Sequence, residues 1–446
     1  MMMSASLKHS LKSLNGRVIS SLTVRFIRIT SIPSDSAAAA AALPAPPNPT
    51  IRTLTAVGGG RGLEKRATPL AAGIGEWLRN SPVDCFNEPA RSAGVGGVVS
   101  ETAFSSGLVR HYKDGAIIGF VEVFVKAKML LGNVSFCKKD ILQWKPDVVI
   151  LIDYPGFNFK IAEFAHKAGF KVFYYIAPKV WASREGRIRK LKAYVDKLFI
   201  VFPFEIPYFT RKGIPFIYKG NPLIDAIDGS RAMNETREEF IQRNNLSDRP
   251  VIAMLAGSRK GEISTMMPVL TEFAAKMREI PQYADHQFII GGAPARTMSD
   301  YEPWLTEDNR KYIKVMFGET QSIIRHAEAA VVNSGTASLE TVLFNTPQVV
   351  GYIGNPLTYQ IAKRIVKLKY ISLGNLIIDK GAFKEFIQDD CNPDKILAEV
   401  RSLLENEDYR NRMLDDYADI RNALGGSGAS AAVAGAMIEE LKKSRV

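Results

Sequence analysis

The chain has 446 residues, enough for two domains of ordinary size with separate hydrophobic cores. Its composition, 46% hydrophobic and 23% charged, is that of a globular protein, and no apolar run reaches the length of about eighteen residues that predicts a membrane span. Cys85, Cys137 and Cys391 lie far apart and form no CxxC pair. The sequence therefore predicts neither a disulfide framework nor a zinc site.

Residues 1–63 differ in composition from the rest of the chain. They contain seven Lys or Arg and a single acid, Asp35, with the arginines spread among apolar and serine residues. This pattern is typical of an organelle transit peptide, and the Ala- and Pro-rich residues 37–49 predict a linker behind it. Residues 64–110 are rich in Gly and Ser and stay unassigned. Because half of the net charge of +12 lies in this leader, nucleic-acid binding is disfavoured.

Residues 111–225 predict a first α/β domain. The apolar stretch 117–131 predicts a helix, either buried in a core or carrying one face for lipid or an acyl chain. Strands and helices then alternate, which predicts a mostly parallel sheet with helices on both faces. The predicted strands are 148–152, 171–176, 198–201 and 216–218, and the predicted helices between them are 159–168, 184–195 and 205–212.

Residues 226–355 predict a second domain of the same class, and 356–446 predict closing helices. The predicted strands are 251–255, 287–290, 312–316, 329–332 and 348–352. The expected fold is therefore α/β, with two Rossmann-like doubly wound domains facing across a cleft. No GxGxxG motif follows a strand, so a dinucleotide-dependent oxidoreductase is poorly supported.

The stretch 333–340, Asn-Ser-Gly-Thr-Ala-Ser-Leu-Glu, follows the apolar strand 329–332. Ser334 and Thr336 are expected as N-caps of a helix over 337–344. Backbone N–H groups at such a turn, together with the helix dipole, favour an anion. Glu340, one turn further, is suited to accept from a neutral diol such as a ribose. The alternative is an ordinary βα turn with a solvated Glu.

Other candidate residues follow the strands of the first domain, because ligands of parallel sheets gather at the carboxyl ends of the strands. Asp153 follows the first of these strands, and Trp181 follows the second. Trp181 is either a core residue or an acyl contact, and the core is favoured. A basic cluster can meet a phosphate or an anionic bilayer, or can simply be a solvated helix face. The cluster comprises Arg184, Arg187, Arg189, Lys190 and Lys192.

A series of motifs resembles the lipid-A-disaccharide synthase family, inverting glycosyltransferases of the two-Rossmann-domain (GT-B) kind. The resemblance runs from about His111 to the C-terminus. It implies transfer from UDP-2,3-diacylglucosamine to 2,3-diacylglucosamine 1-phosphate with release of UDP, and no metal or cofactor. The motifs, in order, are Asp153–Asn158, Pro178–Ala182, Pro203–Glu205, Gly257–Arg259 with Glu262, Ser334–Glu340, Gly351–Tyr352 and Ser372–Leu376.

The resemblance also implies roles for single residues. Asp153 matches the family's general base, which takes the proton of the acceptor 6-hydroxyl; the alternative is an Asp that caps a turn. Arg259, on the Gly257–Ser258 turn, and the turn Ser334-Gly335-Thr336 would stabilise the phosphates of the leaving UDP. Glu340 would hold the ribose, and Glu262 would orient Arg259. Asn375 matches a position near the nucleotide-sugar.

The family's Gly-rich first turn, Ala-Gly-Glu-x-Ser-Gly-Asp, is not found in this sequence, so the N-terminal domain is expected to be incomplete. Two hypotheses follow: an active synthase, or a non-catalytic UDP-binding remnant that has lost its N-terminal half-site. A third, a nucleotide-sugar epimerase, would need its own acid and base residues. The enzyme is expected to be a peripheral membrane protein. A homodimer is one assembly that it could form. It would lie in a mitochondrion or other organelle if the leader is genuine, and otherwise on the cytoplasmic face of a bacterial inner membrane.

Overall fold

The computed structural model describes residues 24–27, 122–182, 184–354, 359 and 369–443. Most of the predicted leader 1–63, the unassigned segment 64–110 and the start of the first predicted helix lie outside these residues. The described chain divides into two compact units. The first ends at Lys219 and resumes at Gly428, and the second comprises Gly220–Ser427.

The first unit is built on a sheet whose strand order is β1-β2-β3-β4-β5. The strands β2 to β5 are parallel, whereas β1 pairs with β2 in the antiparallel direction. β1 falls within the predicted leader, and the prediction of a leader there stays a prediction. The strands are β1 (Val24–Ile27), β2 (Val148–Ile152), β3 (Lys171–Tyr175), β4 (Lys197–Ile200) and β5 (Phe216–Tyr218).

Helices connect these strands, and the core lies between helices and sheet. β2 is buried along its whole length because its residues, Val-Val-Ile-Leu-Ile, are apolar on both faces. Pro155 begins the helix after β2, where its missing N–H costs no hydrogen bond. The described helices before β5 are α1 (Glu122–Trp144), α2 (Pro155–Lys167), α3 (Ile188–Tyr194) and α4 (Glu205–Arg211).

The second unit is built on an entirely parallel sheet with the strand order β11-β10-β9-β6-β7-β8. Its central strands are fully buried apolar runs, as expected when helices cover both faces. The strands are β6 (Val251–Leu255), β7 (Gln287–Gly292), β8 (Ile313–Phe317), β9 (Ala329–Asn333), β10 (Gln348–Tyr352) and β11 (Glu385–Ile387).

The direction in which the chain adds strands reverses between β6 and β9. From β6 the chain proceeds outward to β7 and β8, and then returns to the other side of β6 to form β9, β10 and β11. Loops that leave two neighbouring parallel strands toward opposite sides open a crevice at their carboxyl ends. The second unit therefore has its expected binding position at the ends of β6 and β9.

The helices of the second unit surround this sheet, and a last helix completes the first unit. None of the described helices is both long and apolar enough to span a bilayer. The helices are α5 (Pro222–Asp228), α6 (Arg231–Asn234), α7 (Arg237–Asn244), α8 (Lys260–Arg278), α9 (Thr320–Arg325), α10 (Thr336–Leu343), α11 (Leu373–Ile378), α12 (Pro393–Glu405), α13 (Glu407–Leu424) and α14 (Ala429–Lys443).

The expected α/β class with two Rossmann-like sheets is confirmed. Every strand predicted within the described residues exists, with ends that differ by at most two residues. The helix predicted over 184–195 starts too early in the prediction. Arg184 has φ 59°, a 3₁₀ turn covers Glu185–Arg187, and the α-helix begins only at Ile188. In the described chain the first sheet has four parallel strands and the second has six, and the incomplete N-terminal domain stays a prediction.

Candidate functional site

Two turns meet at the point where strand order reverses in the second unit. One turn, Gly257–Arg259, leads from β6 into α8, and the other, Asn333–Thr336, leads from β9 into α10. Gly257 has φ 99°, a conformation that side chains other than hydrogen disfavour. A Cβ placed on Gly257 would lie 2.6 Å from Asn333 Nδ2 and 2.8 Å from Glu262 Oε2. The glycine therefore allows the two turns to approach each other.

We expect Gly257→Ala to destabilise the second unit by about 2 kcal/mol or more, because left-handed strain and overpacking both act there. Gly261→Ala is the matched control, since a Cβ at Gly261 has open space and lies within a helix. Thermal or urea unfolding of the two variants measures the difference. Equal stabilities would contradict the close approach at Gly257.

Glu262 organises the first turn from within α8. Its Oε2 accepts from the backbone N–H groups of Ser258 (3.1 Å) and Arg259 (3.2 Å), and its Oε1 accepts from Arg259 Nη1 at 2.8 Å. The Arg259 side chain is about half exposed (48%), whereas that of Glu262 is 17% exposed. Glu262 thus fixes both the turn and one edge of the guanidinium, and the other edge of Arg259 remains exposed.

Arg296 supports the same turn and was missed by the sequence analysis. It follows the end of β7, the strand next to β6, and its Nε donates to the Ser258 carbonyl at 3.1 Å. The signal that could have found it is its position, because loops after parallel strands gather at the same edge of the sheet. The turn after β6 therefore has two arginines beside it.

The second turn starts α10 differently from the prediction. The N-cap is Gly335, without a capping side chain, and Thr336 is already the first helical residue, so the expected caps at Ser334 and Thr336 were wrong. The reason is that Ser334 still belongs to the sheet edge, where its N–H donates to the Gly351 carbonyl at 2.9 Å. No side chain caps the start of α10.

Glu340 lies one turn into α10 and is buried, with 8% exposure. Its Oε1 accepts from Gln321 Nε2 at 3.2 Å, and Gln321 in α9 is itself buried. The alternative of a solvated Glu is therefore wrong. A neutral amide therefore orients the Glu340 carboxyl group.

Asn375 lies at the start of α11 and is completely buried. Its Nδ2 donates to Phe383 O (3.0 Å) and Glu385 Oε1 (2.8 Å), and its Oδ1 accepts from Ala382 N (2.9 Å). Glu385 in turn accepts from the backbone N–H of Ser372 at 2.9 Å. Both ends of the Asn375 amide are thus engaged in holding the loop before β11 against α11.

The first unit places Asp153 directly after β2 in a strained turn. Asp153 and Tyr154 have φ values of 43° and 34°, and Ile176, at the end of the neighbouring strand β3, has φ 61°. Left-handed conformations are uncommon for residues other than Gly, Asn and Asp, and are especially unfavourable for a β-branched residue. Such strain clusters at functional sites, so its presence at two adjacent strand ends supports this edge of the sheet as a site.

Buried side chains hold the Asp153 backbone in place. The Asp153 carbonyl accepts from Asn158 Nδ2 at 2.6 Å and from the Tyr174 hydroxyl, and its N–H donates to the Tyr175 carbonyl at 3.1 Å. Burial raises the pKa of Tyr154 to about 12, so this neighbour is a neutral phenol at physiological pH. The carboxyl group of Asp153 is therefore carried by a rigid backbone and has an uncharged neighbour in the chain.

Trp181 and Glu205 form a second constellation, at the ends of β3 and β4. The Trp181 indole N–H donates to Glu205 Oε1 at 3.1 Å, while Oε2 accepts from the backbone N–H of Phe202 at 3.1 Å. Trp181 packs edge-on against Phe204 with ring centroids 4.8 Å apart. Trp181 is partly buried and a buried carboxyl fixes its indole, so the choice between a core residue and an acyl contact stays a prediction.

Burial raises the pKa of Glu205 from 4.5 to about 7, against the opposing effect of its hydrogen bonds. Between pH 4.5 and about pH 7 the folded chain therefore binds more protons than the unfolded chain. The resulting stability is complete below pH 4.5 and is lost as pH rises through about 7.

We expect the free energy of unfolding to fall by about 3 kcal/mol across this pH range in the parent, at about 1.4 kcal/mol per pKa unit. Glu205→Gln should remove that dependence. Urea unfolding at several pH values measures it, with Glu272→Gln, an exposed glutamate of α8, as the control that keeps the slope of the parent. A Glu205→Gln profile parallel to the parent's would contradict the raised pKa.

The structure thus brings most of the predicted residues together in one unit. Gly257, Ser258, Arg259 and Glu262 form one turn beside the turn of Ser334, Gly335 and Thr336, with Glu340 behind it. Asn375 hydrogen-bonds to the loop before β11 and so supports it. Asp153 belongs to the first unit. No cluster of metal-binding side chains occurs among the described residues.

Comparison with known proteins identifies relatives along most of the chain. A family model described as lipid-A-disaccharide synthetase matches residues 83–434, so the match starts ahead of His111, in residues that the structure does not describe. The chain is 34% identical to a lipid-A-disaccharide synthase of Trichlorobacter lovleyi over 79% of its length and 90% of that protein. It is 35% identical to the corresponding synthase of Syntrophus aciditrophicus, covering 79% of this chain and 91% of that one.

Solved structures show a similar fold at much lower identity. A UDP co-structure of Staphylococcus aureus MnaA superimposes with a TM-score of 0.51 at 15% identity, covering 71% of this chain and 80% of that one. The UDP-GlcNAc 2-epimerase of Methanocaldococcus jannaschii, in complex with UDP-GlcNAc and UDP, gives 0.51 at 16% identity, covering 75% and 84%. These likenesses confirm the fold, which glycosyltransferases of the GT-B kind share with such epimerases.

Proposed function

Because the chain belongs to the lipid-A-disaccharide synthetase family and makes the lipid A disaccharide, we propose that it does so by an inverting transfer with Asp153 as the general base. The donor is UDP-2,3-diacylglucosamine, and the acceptor is 2,3-diacylglucosamine 1-phosphate. The products are the β-1,6-linked disaccharide 1-phosphate and UDP. The single observation that carries this proposal is the family match over 83–434, which includes both turns at the strand-order reversal.

The second unit binds the UDP part of the donor. Arg259 has an exposed guanidinium edge for a phosphate, and α10 begins without a capping side chain at Gly335. A cation and the start of a helix at one crevice attract the negative charge of a diphosphate. Glu340, oriented by Gln321, accepts hydrogen bonds from the ribose hydroxyl groups. The UDP in the co-structures of the S. aureus and M. jannaschii proteins supports a nucleotide site in this fold.

The first unit supplies the base. The acceptor 6-hydroxyl oxygen forms a bond to the anomeric carbon while the bond from that carbon to the UDP oxygen breaks. Asp153 takes the hydroxyl proton, and the electron pair of the broken bond leaves with UDP. Attack from the face opposite UDP inverts the configuration at that carbon. The strained, hydrogen-bonded backbone of Asp153 suits this role, because a base must be held in reach of the proton.

The leaving group needs stabilisation because negative charge develops on the UDP phosphate as the bond breaks. Arg259 provides this stabilisation, and Glu262 and Arg296 position the turn that carries it. Asn375 acts indirectly, by fixing the loop before β11 through its own hydrogen bonds. No step in this scheme requires a metal ion or a cofactor.

The substrates are lipids, so the enzyme must work at a membrane surface. Four basic side chains on and before α3 are exposed, which suits an anionic surface. They are Arg184, Arg189, Lys190 and Lys192. We infer a peripheral enzyme, organellar if the basic leader directs import.

UDP release by the full chain tests this function. We expect release with donor and acceptor together, and none with donor alone or with an acceptor in which the 6-hydroxyl is replaced by hydrogen. That requirement separates transfer from hydrolysis. UDP binding in the absence of any turnover would contradict the proposal and identify a non-catalytic remnant.

A further inference from the structure

Asn333 is the last residue of β9 and precedes the turn into α10. The sequence analysis placed it at the start of the turn motif 333–340 and gave it no role of its own. Its backbone pairs in the sheet with Gly351 on β10, and its side chain points toward the turn after β6, with Nδ2 2.6 Å from the position of a Gly257 Cβ. The side chain therefore lies between the two turns that form the donor site.

The Asn333 side chain makes no hydrogen bond to any described residue, although the residue as a whole is buried. Its exposed fraction is 5%, and Asn333 Nδ2 and Glu262 Oε2 both lie within 3 Å of the position that a Cβ on Gly257 would take. Other buried asparagines in this unit are engaged: Asn375 makes hydrogen bonds at both ends of its amide, and so does Asn309. Buried amides are rarely left without partners, so a missing partner indicates a ligand or an ordered water.

We propose that Asn333 is a further donor-binding residue, whose side-chain amide donates a hydrogen bond to the diphosphate of UDP. The proposal rests on the donor site of the proposed function. The diphosphate fits because Arg259 and the N–H groups at the start of α10 border the same crevice and attract negative charge. A neutral amide donor adds a directional hydrogen bond to the diphosphate, and it does not repel the positive groups beside it.

Binding of UDP and of uridine to the full-length protein, measured by calorimetry, tests this role. Asn333→Ala should weaken UDP binding about tenfold or more, the effect of losing one hydrogen bond to a charged group. Asn333→Asp has nearly the same shape but should weaken UDP binding further, because its carboxylate repels the diphosphate. Uridine, which has no phosphate, should bind both variants within about twofold of the parent.

Asn309→Ala is the matched control. Asn309 is a buried asparagine of the same unit that lies before β8, at the opposite edge of the sheet, and accepts from Thr306 N at 2.9 Å. The control should lose stability but keep the UDP affinity of the parent. Unchanged UDP affinity in both Asn333 variants, or an equal loss for UDP and uridine, would overturn the role of Asn333. A parent that binds no UDP would instead overturn the donor site itself, and Asn333 with it.

Discussion

Asp153→Asn should reduce transfer by about 10²- to 10⁴-fold, the usual contribution of a general base, while leaving UDP affinity unchanged. Asn lacks the basic oxygen but keeps the size of Asp, and it also tolerates the left-handed backbone (φ 43°) of this turn. The loss should therefore appear in kcat rather than in folding. Steady-state UDP release and calorimetric UDP binding measure the two quantities separately.

Asp379→Asn is the control for this substitution. Asp379 also has a left-handed backbone, at φ 48°, and its side chain is 86% exposed at the end of α11. The control should keep the activity of the parent because it changes the same functional group in the same conformation, away from the two turns. An Asp153→Asn variant with near-parental kcat would exclude Asp153 as the base.

Arg259→Ala should lower kcat by about 10²- to 10³-fold, as expected on removal of a group that stabilises charge in the transition state. UDP affinity should fall as well, because the exposed edge of the guanidinium faces the phosphates in our scheme. Arg259→Lys should be intermediate, since Lys retains the charge but not the planar fork of donors. Glu262 keeps its two backbone hydrogen bonds in both variants, so the turn should remain folded.

Arg401→Ala is the matched control for Arg259. Arg401 lies on α12, is 44% exposed and pairs with Glu405 one turn away, as Arg259 is 48% exposed and pairs with Glu262. Exposed pairs of this kind contribute little to stability, so the control should resemble the parent in both kcat and melting temperature. Equal activity losses in the two variants would show that the effect of Arg259 is not specific to the donor site.

The strands could be predicted from the sequence because buried parallel strands are continuous apolar runs. Val148–Ile152 and Val251–Leu255 are examples in which predicted and observed ends coincide. The position of the proposed donor site followed from the same pattern, since turns after parallel strands gather at one edge of the sheet. Gly257 and Glu340 therefore lay within reach of sequence reasoning.

Features that depend on contacts distant in sequence could not be predicted. Ile176 is left-handed although β-branched residues disfavour that conformation, and its N–H donates to the Phe199 carbonyl on the neighbouring strand β4. Glu205 and Trp181 are 24 residues apart, so neither the fixed indole nor the raised pKa of the carboxyl has a local signal. The same holds for Asn333, whose burial beside Gly257 arises only when β6 and β9 pair.

The configuration of the new glycosidic bond is the most direct test of the mechanism. The full chain would be incubated with UDP-2,3-diacylglucosamine and 2,3-diacylglucosamine 1-phosphate, and the anomeric coupling of the product would be measured by NMR. We predict a β-1,6 linkage formed from the α-linked donor, in the parent and not in Asp153→Asn. An α-linked product, or a β-linked product formed equally well by Asp153→Asn, would contradict inverting transfer with Asp153 as the base.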